Sequence, residues 1–200
     1  IPRSPLERAA PPAGAKTLKV VSVNVAGLRA VLDEAKGPEK RDALAALVAS
    51  EAPDVLCLNE HKLKDEDVDE AKEKLAALLP AYSRAEFTCS GPPGKKGYSG
   101  VAMLFKDGGA VPADAAVTPG MPGVDAAVND DIVNHEGRLL TLALPNALSL
   151  VATYVPNSGH DLKRLAYRTE AGGRDRSLAA YVTALKAAGP AAAVGDLNRC

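Results

Sequence analysis

The stretch PDVLCLNEHK, residues 53–62, decides how the rest of the chain is read. Its apolar run VLCL, residues 55–58, is long enough for a buried strand, and Pro53 closes whatever helix comes before it. The strand gives way at once to polar residues, with Glu60 just past its end. Cys57 sits inside the apolar run, where a buried free thiol is the expected outcome. Three cysteines make no complete disulfide framework, which suits a reducing compartment.

Outward from this strand the chain alternates. Upstream, residues 18–25 (LKVVSVNV) are rich in β-branched residues and end at Gly27, which predicts a strand running into a turn. Residues 38–50 place Leu44, Leu47 and Val48 at helical spacing, with Pro38 near the start. Downstream, residues 65–79 predict a helix with acidic residues in its first turn, closed by Pro80. Strands are expected at 82–87, 100–105, 138–144, 149–154 and 191–194, and a helix at 176–187. The stretch 107–134 is rich in Gly, Pro and Asp and reads as a loop or surface insertion. Residues 1–16 carry four prolines and no apolar period, so they form an extended Pro/Ala-rich tail ahead of a domain at 17–200. The fold class is α/β (α+β): sheets covered by helices.

Composition narrows the function. Lys and Arg number 24 against 25 Asp and Glu, so no global positive field recruits nucleic acid and any polyanion site must be local. The longest apolar runs fall far short of the ~20 residues that a membrane span requires. A first residue of Ile rather than Met suggests a processed precursor, and an organelle (mitochondrion or plastid) or the nucleus is the expected compartment.

Polar residues gather at four predicted strand ends: Asn24, Glu60, Tyr154 with Asn157, and Asp196 with Asn198. Carboxylates such as Glu60 and Asp196 suit Mg2+, a hard cation that takes oxygen ligands and keeps waters for a phosphate to replace. Asparagine side chains can donate to phosphate oxygens or orient a water. Singly, each residue has a plain reading as a cap, a turn or a surface group, and only the combination is informative. His61, a lone histidine at a strand end, is expected to be solvated rather than a ligand.

The combination resembles the exodeoxyribonuclease III and apurinic/apyrimidinic endonuclease family, within the endonuclease, exonuclease and phosphatase superfamily. The resemblance rests on SVNVAGLRA (22–30), PDVLCLNEHK (53–62), KKGYSGVA (95–102) and YVPNSG (154–159), in that order, with EGRLL (136–140), RLAYR (164–168) and GDLN (195–198) added. It implies a layered β-sandwich flanked by helices. It also implies roles: Glu60 and Asn24 at a metal and phosphate site, Tyr154 against the scissile phosphate with Asn157 supporting it, Asp196 positioning or deprotonating the attacking water, and Asn198 contacting the phosphate. Arg29, Lys62, Tyr98 and Arg138 match positions in or near the DNA-facing surface. The implied activity is Mg2+-dependent cleavage (or Mn2+-dependent) of duplex DNA on the 5′ side of an abasic site.

Departures from the pattern set limits on that expectation. Ala26 stands where the family carries Asp or Asn beside the metal, and an alanine supplies no oxygen. The family's second half supplies another sheet, a pocket for the abasic sugar and a Ser-Asp-His motif. The three histidines, His61, His135 and His160, lie outside any such motif. Most of the second sheet is therefore expected to be missing, so that an apolar sheet face needs residues beyond Cys200 or another protein chain, which would also hold the tail. The alternative function is an inactive nuclease fold, without metal, serving as a structural or interaction subunit. A module that binds nucleic acid without cutting it is a third reading, disfavoured by the balanced charge.

Overall fold

The structure, a computed structural model, describes residues 12–35, 37–124, 135–144, 148–170 and 173–198. Two parallel strands cannot be joined by a tight turn, and the chain solves this twice with helical crossovers. Strand β1 (Val20–Asn24) crosses through α1 (Leu28–Leu32) and α2 (Pro38–Glu51) to lie parallel to β2 (Val55–Asn59), with Asn24 opposite Asn59. A 3-10 turn (Asp65–Asp67) and α3 (Val68–Leu78) then lead to β3 (Arg84–Thr88) and β4 (Val101–Phe105), which complete an antiparallel edge. The first sheet has the order β1-β2-β4-β3.

The second sheet repeats the plan. Its strands β5 (Ala116–Pro119), β6 (Leu139–Leu144) and β7 (Leu148–Tyr154) are antiparallel neighbours. Helices α4 (Leu165–Thr169) and α5 (Arg174–Ala188) then carry the chain over to β8 (Ala191–Asp196), parallel to β7, with Tyr154 opposite Asp196. The order is β5-β6-β7-β8. In both sheets the parallel pair lies at one edge, and the edge strands β1 and β8 approach each other across the layers.

Period-two alternation sorts the apolar residues into three cores. Along β2, Leu56 and Leu58 point to helices α1–α3, joining Leu28, Leu44, Val48 and Leu75. Val55 and Cys57 point the other way, against Leu140, Leu142, Leu150 and Ala152 of the second sheet. Strand β4 divides in the same manner, Ala102 and Leu104 against Val101, Met103 and Phe105. Outside the second sheet, Leu139 and Val151 pack with Tyr181 of α5. The layers thus run helix, sheet, sheet, helix. Strands buried on both faces need continuous apolar runs, which is why VLCL and VAMLF carry no polar alternation.

This arrangement corrects one expectation outright. The inner face of β1-β2-β4-β3 is not bare: four strands of the same chain cover it, so the structure gives no reason for a partner there. A smaller correction falls on 107–134, where residues 116–119 form β5 instead of loop; Val117 pairs with Leu142 and packs into the inter-sheet core. The rest of that stretch from 125, and residues 1–11 of the expected tail, lie outside the described residues. Among the described residues no helix is long and apolar enough to cross a membrane.

Candidate active site

Two parallel pairs, β1 with β2 and β7 with β8, bring their ends together, and the polar residues there meet. Asn24 is the last residue of β1 and Asp196 the last of β8. Gly195 makes that placement possible: at φ 141°, a Cβ on it would fall 1.8 Å from the Thr153 carbonyl oxygen, so only glycine lets β8 lie this close to β7. Glu60 follows β2 in the left-handed region, φ 59°, pinned by its own N–H to the Gly100 carbonyl at 2.8 Å and by the Gly27 N–H to its carbonyl at 2.8 Å.

The side chains form one hydrogen-bonded net. Asn24 Oδ1 accepts the Ala26 N–H at 2.9 Å, which turns its amide nitrogen outward. That nitrogen donates to Glu60 Oε2 at 2.9 Å and to Asp196 Oδ2 at 2.8 Å, so one amide ties together carboxylates from two sheets. Asp196 Oδ1 accepts the Asn198 N–H at 3.0 Å. Asn198, itself at φ 43°, donates from its side chain to the Val155 carbonyl at 2.7 Å and accepts from Asn157 Nδ2 at 3.1 Å. The other oxygen of Glu60 meets Lys62 Nζ at 2.7 Å.

Electrostatics follow from these contacts. Burial tends to raise the Glu60 carboxyl, but hydrogen bonds from Lys62, Asn24 and Tyr154 and the Lys62 charge outweigh it and hold the group below the usual carboxylate range. The Tyr154 phenol moves up, first through burial and then through its bond to Glu60, with Arg138 opposing. It therefore stays protonated at neutral pH and remains a donor. Behind it, the Arg138 guanidinium lies 4.8 Å from the Tyr154 ring centre and donates to the Tyr154 carbonyl at 3.3 Å.

The structure unites six of the sequence-predicted residues, Asn24, Glu60, Tyr154, Asn157, Asp196 and Asn198, with Lys62 on the rim. Arg29 is exposed at one flank, paired with Asp67 at 2.7 Å, and Tyr98 is exposed at the other, accepting from Arg164 at 3.4 Å. Arg29, Lys62, Lys64 and Lys96 line a shallow depression of about 350 Å³ beside the net, a local positive surface on a chain of formal net charge −1. Arg138 is a correction: expected on the DNA-facing surface, it is 1% exposed, because Glu136 and the Tyr154 ring take up its charge from within. His61 is another. It is fully buried, not solvated: Nδ1 accepts the Leu63 N–H at 3.0 Å, Nε2 meets the Thr88 carbonyl at 3.1 Å, and Phe87 packs edge-on against the ring.

Sequence reasoning gave no role to Glu136, Arg164 and Arg168, the charged groups that join Arg138 behind the net. Glu136 holds Arg138 on one side and Arg164 at 2.8 Å on the other, and Arg168 of α4 reaches the loop after β8. The motifs EGRLL and RLAYR contain all four, and the paired Arg164 and Arg168, one helical turn apart, were the available signal.

For a metal ion, the donor chemistry rests on Glu60 and Asp196, whose carboxylates are close enough to share one amide. Among the described residues no cluster of three or more His, Cys, Asp or Glu is suited to a metal. Two carboxylates fit Mg2+, which is commonly held by one or two protein carboxylates and keeps several waters.

The fold is thus a two-sheet sandwich with a polar cleft at the ends of its two parallel edge pairs. The chain belongs to the Endonuclease/Exonuclease/phosphatase family, whose model matches residues 21–200. It is 32% identical over 184 residues to an exodeoxyribonuclease of Streptococcus pneumoniae serotype 4, covering 90% of this chain and 62% of the relative. It is 34% identical to the DNA repair nuclease APEX1 of Danio rerio, over 92% of this chain and 50% of the relative. Among solved structures, the AP endonuclease LMAP from Leishmania major superposes with a TM-score of 0.65 at 31% identity, covering 90% of this chain and 55% of that one. The chain therefore spans about half to three-fifths of the length of these relatives.

Proposed function

We propose that the protein is a DNA-repair nuclease, a phosphodiesterase that cleaves duplex DNA on the 5′ side of abasic sites with Mg2+, or Mn2+ in its place. The observation that supports this reading most is the Asn24 amide joining Glu60 and Asp196, with the Tyr154 hydroxyl on Glu60. Named relatives, an exodeoxyribonuclease and a DNA repair nuclease, point the same way.

Hydrolysis of a phosphodiester needs an in-line water, neutralisation of the charge that grows on the phosphate, and donors fixed in advance. Asp196 can accept a hydrogen bond from the attacking water. Asn24 and Asn198 hold that carboxylate still, one through each oxygen. Tyr154, protonated and backed by Arg138, would turn its one hydroxyl hydrogen from Glu60 to an incoming phosphate, and Asn157 supports Asn198. A bound Mg2+, held by Glu60 and Asp196, would supply positive charge at the phosphate. Arg29, Lys62, Lys64 and Lys96 offer the backbone of the duplex a positive track.

The test is incision of a duplex oligonucleotide carrying one abasic-site analogue by the full-length protein, with Mg2+ and with a chelator. Single cuts 5′ of the lesion that need the metal are expected, falling at least about 100-fold in Glu60→Ala and Asp196→Ala. Wild-type rates in both variants would sink the assignment. One observation favours a second reading, an inactive nuclease fold serving as an interaction subunit: Ala26 adds no oxygen and the Lys62 ammonium already sits on Glu60. A folded full-length protein that fails to cut with either metal would establish that alternative over the first.

A further inference from the structure

We infer that Arg168 is a positioning residue, which fixes the loop carrying Asp196 and Asn198 against the loop carrying Asn157; this rests on the nuclease reading above. Arg168 lies in α4, outside the hydrogen-bonded net, and is 7% exposed. A guanidinium has five N–H donors in a rigid plane, and here each has a partner. Nε faces Asp175 Oδ2 at 3.2 Å. One terminal nitrogen donates to the Asn198 carbonyl at 2.8 Å and to Ser158 Oγ at 3.3 Å. The other donates to Asp175 Oδ2 at 3.1 Å and to the Leu197 carbonyl at 3.3 Å.

Three segments are thus clamped by one side chain: the 197–198 loop through two carbonyls, the 155–159 loop through Ser158, and the start of α5 through Asp175. The clamp has something to hold. Asn198 sits at φ 43°, a left-handed conformation that asparagine accepts, and that backbone turn sets where its N–H and side chain point. From that conformation its N–H reaches Asp196 Oδ1, and its side chain meets Asn157. Without the two carbonyl contacts, the 197–198 loop no longer holds that N–H against Asp196, and Asp196 loses one of its two hydrogen-bond donors. Asp175 neutralises the guanidinium, so the carbonyls are held by an already compensated charge. A lysine here has three donors at one point and cannot span the same set.

The experiment compares wild type, Arg168→Lys and Asp175→Asn in the full-length protein, reading steady-state incision well below the melting temperature and the side-chain amide NMR signals of Asn157 and Asn198. The expected result for Arg168→Lys is a fall in kcat of about 100-fold with KM within about threefold, since positioning acts on the reacting geometry more than on binding. Asp175→Asn falls about tenfold. In both, the two amide signals lose their distinct positions. Free guanidinium ion restores part of the kcat of Arg168→Ala. A purely structural role would lower the melting temperature while leaving kcat and the amide signals of the folded protein intact, and that result in Arg168→Lys overturns the inference; wild-type kcat in Asp175→Asn overturns it as well if Arg168→Lys does not fold. Should wild type fail to cut, the nuclease reading falls on its own, and the amide signals alone decide: unchanged in the variants, they overturn the clamp, and collapsed, they uphold it.

Discussion

Asn24 and Asp196 are 172 positions apart in sequence, yet the amide of one donates to the carboxylate of the other at 2.8 Å across the boundary between the sheets. The same nitrogen serves Glu60, and the Ala26 N–H fixes which way the amide faces. Removing it with Asn24→Ala leaves two carboxylates facing each other without the one donor they share. The expected outcome is a loss of 100- to 1,000-fold in kcat/KM, of the order seen on removing one preorganised donor, with a melting temperature nearly unchanged because the site is exposed. Steady-state incision and thermal unfolding on the same preparation check both halves.

Ala26 occupies the left-handed region at φ 48°, which alanine tolerates poorly and asparagine accepts. Ala26→Asn is therefore expected to stabilise the fold by up to about 1 kcal/mol. It also adds an amide oxygen two residues from Asn24, next to the net, so the Mg2+ concentration for half-maximal activity is expected to fall. A denaturant titration measures the first effect and a metal titration the second.

His61 gives the fold a pH limit. Burial, ahead of opposing backbone hydrogen bonds, lowers its pKa from 6.5 to about 4. The folded state thus binds this proton less readily than the unfolded state. Its contribution is fully present above pH 6.5 and is lost as pH falls from 6.5 toward 4. The total is on the order of 3 kcal/mol. Unfolding free energies measured across that range should decline with pH in wild type and run flatter in His61→Gln, whose amide does not titrate.

Arg29 and Arg138 should separate cleanly. Arg29 is exposed and its pair with Asp67 is a surface pair, so Arg29→Ala should leave stability alone, weaken DNA binding and lower the salt slope by about one. Arg138→Ala takes one of two guanidinium partners from the buried Glu136, leaving it Arg164, and empties the space beneath Tyr154, at a cost of about 3 kcal/mol, the low end for breaking a buried pair. Fluorescence anisotropy over a salt series, with chemical denaturation alongside, distinguishes them.

Much of this was legible in the sequence because it is local. VLCL reads as a buried strand, Glu60 falls just beyond it, and GDLN ends β8 with its polar residues outward. Two elements of five residues, α1 and α4, are too short to show a helical period, and β5 is four residues among prolines and glycines. The burial of His61 depends on Gly100, 39 positions away, where a Cβ would come within 2.3 Å of the imidazole. Nothing near His61 in the chain encodes that slot. Arg138 looked like a surface charge because its partners come from Glu136 and a ring sixteen residues on, and pairing inverts the usual reading of an arginine. The bare sheet face was expected from a count of missing parts, whereas the second sheet draws its fourth strand, β8, from the last described residues.

The two layers each contribute half of the cleft: Asn24 and Glu60 from one, Tyr154 and Asp196 from the other. A strand slipped by a single residue moves its groups by about 3.3 Å, more than the 2.8 Å that separates Asn24 from Asp196. Whatever chemistry the cleft performs is therefore absent from a nascent or half-collapsed chain and switches on only when the sandwich has closed. An unfinished copy has no cleft at all, because neither sheet alone carries more than half of its groups.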